Sequence, residues 1–223
     1  MTTYYKFTEP GGLAYDGFQW PLPTKNADGT WTPGEWTPAI EGELVECKNG
    51  YHYTDSDWCA AWIDAELYEI EIDGESIVSS NIPAKHVCRR ARLLRRFEGW
   101  NDRTARLVGV RCARDAMTHA SSPDPRSIAA IDTAERYANG LATKDELAAA
   151  RAAASAAAFA AARAAASDAA SDAASDAASD AAWAAASDAA SDAAWAAAWA
   201  AAWAAASDAA MKKYSGWLIE ATK

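Results

Sequence analysis

Five arginines stand close together in the middle of the chain and are the residues best suited to bind an anion. They lie in the segment HVCRRARLLRRF, just after Lys85 and His86, and are Arg89, Arg90, Arg92, Arg95 and Arg96. Clustered guanidinium groups match the oxygens of phosphates and carboxylates, so the strip predicts capture of a nucleotide, a nucleic acid or another anionic ligand. The alternative is that the arginines pair with acidic side chains of this chain.

The distribution of charge bears on that choice. Residues 1–83 carry 3 basic and 15 acidic residues, residues 84–117 carry 10 and 3, and residues 118–223 carry 8 and 13. A basic strip between two acidic regions fits pairing within the chain as readily as a nucleic-acid partner.

The histidines and cysteines are the only soft-ligand candidates, and their spacing matches no common zinc module. The chain has three histidines and four cysteines, and Cys47, His52 and Cys59 are the densest group. We therefore predict no metal site and no cofactor. The cysteines form no CxxC pair, which indicates free structural thiols in a reducing, cytoplasmic compartment.

A second candidate for chemistry is the segment NGYHYTD around His52. It resembles the YHGT strand of ADP-ribosyltransferases, which use a His, a Tyr and a Glu. The resemblance implies that His52 contacts a nicotinamide ribose, although Tyr53 stands where that family has Gly. The alternative interpretation is a structural histidine that closes a turn beside Gly50, and no catalytic residue is assigned.

The candidate interaction residues are tryptophans in an alanine-rich repeat. Residues 148–210 contain 41 alanines among 63 residues, so helix is strongly predicted. Every fourth position carries a Ser, Arg or aromatic residue. Trp195, Trp199 and Trp203 fall within roughly 80° of one another and of Trp217 on a helical wheel, whereas Trp183 points elsewhere. Exposed tryptophans on one side of a helix require a partner surface, which is the N-terminal domain, another copy of the chain or a dedicated ligand.

The four-residue period limits how this helix can pack. Four steps of about 100° overshoot one turn by about 40°, so equivalent positions wind around the helix and give no fixed seam. A two-stranded coiled coil is therefore not expected. A single rod on the order of 100 Å, folded-back segments and a stack of helices remain open, as does a repeat that is only a tolerated expansion.

The N-terminal part has the pattern of a small mixed domain. YYKF, ELVEC and ELYEIEIDG predict strands, Asp28-Gly29 predicts a hairpin turn, and Asp73-Gly74 predicts the end of the third strand. TDSDWCAAWIDA predicts a short helix, and HVCRRARLLRRF a last strand.

Three helices with clear start signals follow. Asn101 or Asp102 caps a helix with Ala105, Val108, Cys112 and Ala116 on one face. Asp124 and Pro125 begin the next, with a stripe of Ile128, Ile131 and Ala138 and an end at Asn139-Gly140. Thr143 and Glu146 form a predicted capping box for the third.

Residues 3–117 resemble a family of uncharacterised phage and prophage proteins. The likeness rests on GGLAYDGFQWPLP, GEWTPAIEGELVECKNGYH, ELYEIEIDG and ARLLRRFEGWNDRTARL. The repeat tail is similar to Ala/Trp repeats downstream of that domain and in some predicted bacterial immunity proteins, which often have Arg or Lys where this chain has Ser-Asp. The resemblance implies a phage-associated, non-enzymatic protein.

Together these observations predict an α+β protein in three parts. Residues 1–120 form an α+β domain with a short antiparallel sheet, 121–140 a linker and short helix, and 141–223 a long or folded-back Ala-rich helical region. The predicted function is binding through the Trp phase, to a second copy or to a protein partner. We expect no membrane span, because the apolar runs are interrupted every four residues, and no secretory signal, because Met1 leads into polar TTYYKF. If the chain is phage-encoded, its compartment is the host cytoplasm.

Overall fold

A computed structural model describes residues 2–79, 84–118, 124–165 and 208–223, including their side chains except those of 155–165 and 208–210. The elements in chain order are β1 Tyr4–Thr8, β2 Thr24–Lys25, β3 Trp31–Thr32, β4 Tyr51–Tyr53, a 3-10 helix Cys59–Trp62, β5 Glu66–Val78, β6 His86–Arg96, α1 Asp102–Met117, α2 Pro125–Ala138, α3 Lys144–Ala165 and α4 Asp208–Ala221. The predicted α+β class is confirmed.

Four antiparallel strands form the main sheet in the order β1-β5-β6-β4, and β2 and β3 form a separate hairpin. Just after β4, Thr54 exchanges backbone hydrogen bonds with Tyr5 of β1, at 2.8 and 2.9 Å. Since β1 and β4 are the two edges of the sheet, it curls until those edges meet. The predicted Asp28-Gly29 turn is confirmed, because it joins β2 to β3.

Strand β5 does not end at Asp73-Gly74, so that predicted turn is wrong. The strand continues to Val78, and its register against β6 gains one residue between Asp73 and Ser76. Gly74 has φ +79°, a conformation that suits glycine and places a β-bulge in the strand. Asp73-Gly74 therefore forms a bulge and not a turn, because β6 continues to pair with β5 beyond these two residues.

The segment ELVEC does not form the predicted strand. Val45 and Asn49 close a tight turn through hydrogen bonds of 2.9 Å in both directions. At its centre Cys47 has φ 60°, which a residue within a strand does not adopt. The predicted short helix after Asp55 is present as the 3-10 helix, preceded by a turn in which Asp55 Oδ1 accepts the N–H groups of Asp57 and Trp58.

The two faces of the sheet bury different partners. One face, here called the helix-covered face, packs on the 3-10 helix, α1 and α4 through Tyr5, Phe7, Leu67 and Phe97. The opposite, loop-covered face packs under residues 9–22, with Trp20 at the centre of a cluster that contains Tyr53, Tyr68, Ile70, Cys88, Ala91 and Leu93. Alternation along the strands produces both cores, since neighbouring side chains point to opposite faces.

The helix start and stop signals are confirmed. Asn101 accepts the N–H of Thr104, Asp124 accepts that of Arg126, and Thr143 and Glu146 bond reciprocally. The predicted α1 face is buried at all four positions. In α2 the predicted stripe is wrong at Ile128, which is 42% exposed; the buried face consists of Ser127, Ala130, Ile131 and Ala134.

The hydrophobic core crosses the boundaries predicted at 120 and 140. Ile131 of α2, Leu147 of α3 and Tyr214 of α4 belong to the same cluster as Leu67 and Trp100. The division into three parts stays a prediction, but these described helices share one core with the sheet.

Candidate functional site

Each of the five arginines singled out in the sequence faces a carboxylate of β5. The nitrogen-to-oxygen distances are 2.5 Å for Arg89–Glu75, 3.8 Å for Arg90–Asp73, 2.7 Å for Arg92–Glu71, 2.6 Å for Arg95–Glu69 and 3.0 Å for Arg96–Glu66. The middle three are direct cross-strand neighbours in the β5–β6 register, so they lie on one face of the sheet. We call these five pairs the arginine ladder.

Residues 34–42 complete the surroundings of the ladder. This segment follows β6 through hydrogen bonds from Gly34, Thr37 and Ile40 to β6 carbonyls at 2.9 Å each. The indole of Trp36 lies under two guanidinium groups, with its centroid 5.1 Å from Arg90 Cζ and 4.6 Å from Arg92 Cζ. Cation–π contact therefore adds to ion pairing on this surface.

The pairing interpretation of the basic strip is confirmed by this geometry. An external anion would have to compete with a carboxylate already paired with each guanidinium, which lowers the net attraction of the strip. Anion binding by Arg89, Arg90, Arg92, Arg95 and Arg96 stays a prediction.

His52 closes the turn that contains Cys47. Its Nε2 accepts the backbone N–H of Cys47 at 3.0 Å, which matches the structural interpretation of this histidine. Burial, and then the charges of Lys6 and Lys85, lower the pKa of His52, so the neutral imidazole needed for this acceptor role is favoured. The ADP-ribosyltransferase hypothesis stays a prediction.

The four cysteines are free, as predicted, and three of them are buried. Burial raises the pKa of the Cys88 and Cys112 thiols to about 12 and also raises that of Cys59, which suppresses their reactivity. Cys47 is exposed, and Lys85 Nζ lies 3.1 Å from its Sγ. Across the described ranges no three His, Cys, Asp or Glu side chains are grouped to hold a metal ion.

Trp217 is the interaction residue whose surroundings the structure describes; Trp183, Trp195, Trp199 and Trp203 lie outside the described residues. Its ring contacts α1, with Arg111 Cζ 4.0 Å from the ring centroid, and Lys213 Nζ lies 5.0 Å from it. Beside it, Tyr214 donates to Asp115 at 2.6 Å. Trp217 thus helps to dock α4 on the domain.

Glu66 organises the loop above the sheet, and the sequence analysis did not single it out. Its Oε2 accepts the N–H groups of Gly11 and Gly12 at 3.0 and 3.2 Å and the hydroxyl of Tyr68 at 2.7 Å. Gly12 has φ +78°, a left-handed conformation that favours glycine. In the sequence, the feature that could have indicated this anchored loop is the Gly-Gly pair followed by an aromatic residue.

Lys6 is the second functional candidate that sequence reasoning missed. It alternates with Tyr5 and Phe7 along β1, which places it with Trp20 on the loop-covered face. The sequence YYKF indicates this position. Tyr5 and Phe7 point to the helix-covered face, so alternation along the strand places Lys6 on the opposite face.

Comparison with known proteins found no similar family model, curated protein or solved structure. Among the helices that the structure describes, none has the length and apolar character required to cross a bilayer.

Proposed function

We propose that this chain is a non-enzymatic binding protein in which an α+β platform holds the Ala/Trp repeat by both of its ends. The repeat is the element that meets a second copy of the chain, through the phase that contains Trp195, Trp199 and Trp203. The resemblance of residues 3–117 to phage and prophage proteins supports a phage-associated setting, as an accessory or counter-defence factor.

The observation that carries this proposal is the position of α4. Leu147 at the start of α3, and Met211, Tyr214 and Leu218 of α4, are all buried in the same core cluster. The start of α3 and the whole of α4, which flank the repeat, are therefore anchored in one core. This supports a folded-back repeat over a free rod that extends on the order of 100 Å from the domain.

Polar contacts hold α4 against the domain. Lys213 and Tyr214 both donate to Asp115 of α1, at 2.5 and 2.6 Å. Ser215 Oγ accepts the N–H of Ala60 and donates to the carbonyl of Asp57, both at 3.0 Å. A helix with one face buried in the core and with side chains bonded to distant parts of the chain is a firm attachment for the end of the repeat.

The composition of the repeat supports self-association. Alanines on either side of each Trp allow a second helix to approach closely, and the indole supplies the apolar area that stabilises such contacts. Because the Trp phase drifts around the helix, partners would contact different sides at different heights, as in a stack rather than a two-stranded coil.

The test is the mass of the full chain in solution by light scattering, over a concentration series. We expect a defined oligomer that becomes monomeric in the W195S/W199S/W203S variant. The matched control is S187A/S191A/S207A, which changes three positions of the same phase and leaves the tryptophans; it should keep the wild-type mass. A wild-type chain that is monomeric throughout, or a Trp variant with unchanged mass, would contradict the proposal.

A further inference from the structure

The loop-covered face of the sheet contains an ammonium group without a counter-ion. Lys6 Nζ lies 5.3 Å from the centroid of the Trp20 ring, and no carboxylate oxygen of the described residues lies within 4 Å of it. In this chain of net charge −10, nearly every described basic group near the sheet has an acidic partner, so Lys6 stands apart.

A second donor in the same cluster also lacks an acceptor. Trp20 is 2% exposed, and its Nε1 has no hydrogen-bond partner among the described residues. A buried indole N–H usually finds a partner, since leaving it unpaired is unfavourable. Two N–H donors, one of them charged, therefore occur together where the protein supplies no acceptor.

Two further aromatic rings pack against Trp20. Phe18, Trp20 and Tyr51 contact one another with ring centroids 5.3 to 5.6 Å apart, and Tyr51 is held by a hydrogen bond to the carbonyl of Pro38. Such rings present apolar surface to a ligand, while the two donors fix one polar end of it.

The electrostatic surroundings favour an anion at this position. Burial lowers the pKa of Lys6 to about 8, and the more distant Asp16, Cys88 and Asp64 offset only part of that effect. His52, whose pKa Lys6 and Lys85 both lower, adds no negative charge. A bound negative charge would restore the ordinary pKa of the lysine.

We infer that Lys6 and Trp20 form a binding site for a small organic carboxylate with an apolar, ring-sized body. The carboxylate accepts from Lys6 Nζ and Trp20 Nε1, and the body packs against Phe18 and Tyr51. This site is independent of the repeat and of the self-association proposed above.

The first test uses benzoate as the probe and NMR of the full-length protein as the readout. Titration of benzoate should shift the Trp20 indole N–H resonance and raise the measured pKa of Lys6, with a Kd of about 1 mM, as expected for a ligand of this size. Benzyl alcohol, which keeps the ring and lacks the charge, and inorganic phosphate, which has charge and no ring, should both bind at least about tenfold more weakly.

Variants separate this site from general attraction of anions. K6M should weaken benzoate binding about tenfold or more, and W20F, which keeps an aromatic ring and removes the N–H, several-fold. K85M is the matched control, because it removes a nearby lysine and should leave the affinity unchanged. Since W20F changes a core residue, K6Q serves as the second test if that variant does not fold.

Three results would overturn the inference. They are the absence of any benzoate-dependent shift at Lys6 and Trp20, equal binding of benzyl alcohol or phosphate, and unchanged benzoate affinity in K6M or K6Q.

Discussion

The arginine ladder and the α4 attachment both use carboxylates as acceptors, but with different donors and in different surroundings. Most ladder pairs are partly exposed, as in Arg92–Glu71 at 31% and 44% and Arg95–Glu69 at 47% and 24%, whereas Glu66, the partner of Arg96, is buried. At the α4 attachment, Asp115 is 19% exposed and bonds Tyr214, whose residue is fully buried. The comparison teaches that the number of charged contacts is a poor guide to stability, because exposed pairs are screened by water and buried hydrogen bonds are not.

The largest effect is expected from the apolar side of the α4 attachment. Leu218→Ala removes a fully buried side chain from the main core, so it should lower the free energy of unfolding by about 2–5 kcal/mol. Urea unfolding followed by circular dichroism measures this. Glu220→Ala on the exposed side of the same helix is the control and should change it by less than about 0.5 kcal/mol. Equal effects of the two changes would show that α4 is not anchored through its apolar face.

A smaller effect is expected at the hydrogen bond between Tyr214 and Asp115. Tyr214→Phe keeps the ring and removes one donor to the Asp115 carboxylate, which should lower the free energy of unfolding in urea by about 1–3 kcal/mol. Tyr137→Phe, on the partly buried side of α2, is the matched control.

The same hydrogen bond makes the stability of the fold decrease at alkaline pH. Burial and the Asp115 carboxylate raise the pKa of Tyr214 above its ordinary value near 10. Above about pH 10 the unfolded chain loses this proton while the folded chain keeps it, so the unfolding free energy should fall as pH rises. Tyr214→Phe should show a shallower decline; an identical slope in both proteins would contradict this assignment.

The smallest effect is expected from the ladder. In a double-mutant cycle, Arg92→Gln and Glu71→Gln should show a coupling energy of about 0–1 kcal/mol, decreasing with added salt. The loss of unfolding free energy should be larger for Arg92→Gln alone than for Glu71→Gln alone, because Arg92→Gln also removes the contact with Trp36. A coupling well above this range would place the ladder beside α4 as a main source of stability.

The features predictable from sequence are those decided by local contacts. The start of α1 at Asn101, the capping box at Thr143 and the hairpin at Asp28-Gly29 each depend on residues within a few positions of one another. The charge partition left pairing within the chain and an external anion equally open, and the pairing of β5 with β6 brings the carboxylates to the arginines.

Features decided by distant contacts were not predictable in this way. The residues Asp73-Gly74 fit a turn or a bulge equally, and pairing with β6 selects the bulge. The turn around Cys47 depends on His52, and the docking of α4 depends on Ala60 and Asp115, about 100 or more residues earlier in the chain. Likewise, Lys6 and Trp20 meet because Glu66 holds the intervening loop in place.

Attachment at both α3 and α4 has an evolutionary consequence for the repeat. A unit of four residues can be gained or lost between these helices without replacing any side chain of the described core. Insertions between two fixed ends are well tolerated by folded domains. The number of repeat units is therefore free to diverge among related chains faster than the domain itself. The length of the repeat and the number of tryptophan positions it offers can then change while the domain stays the same.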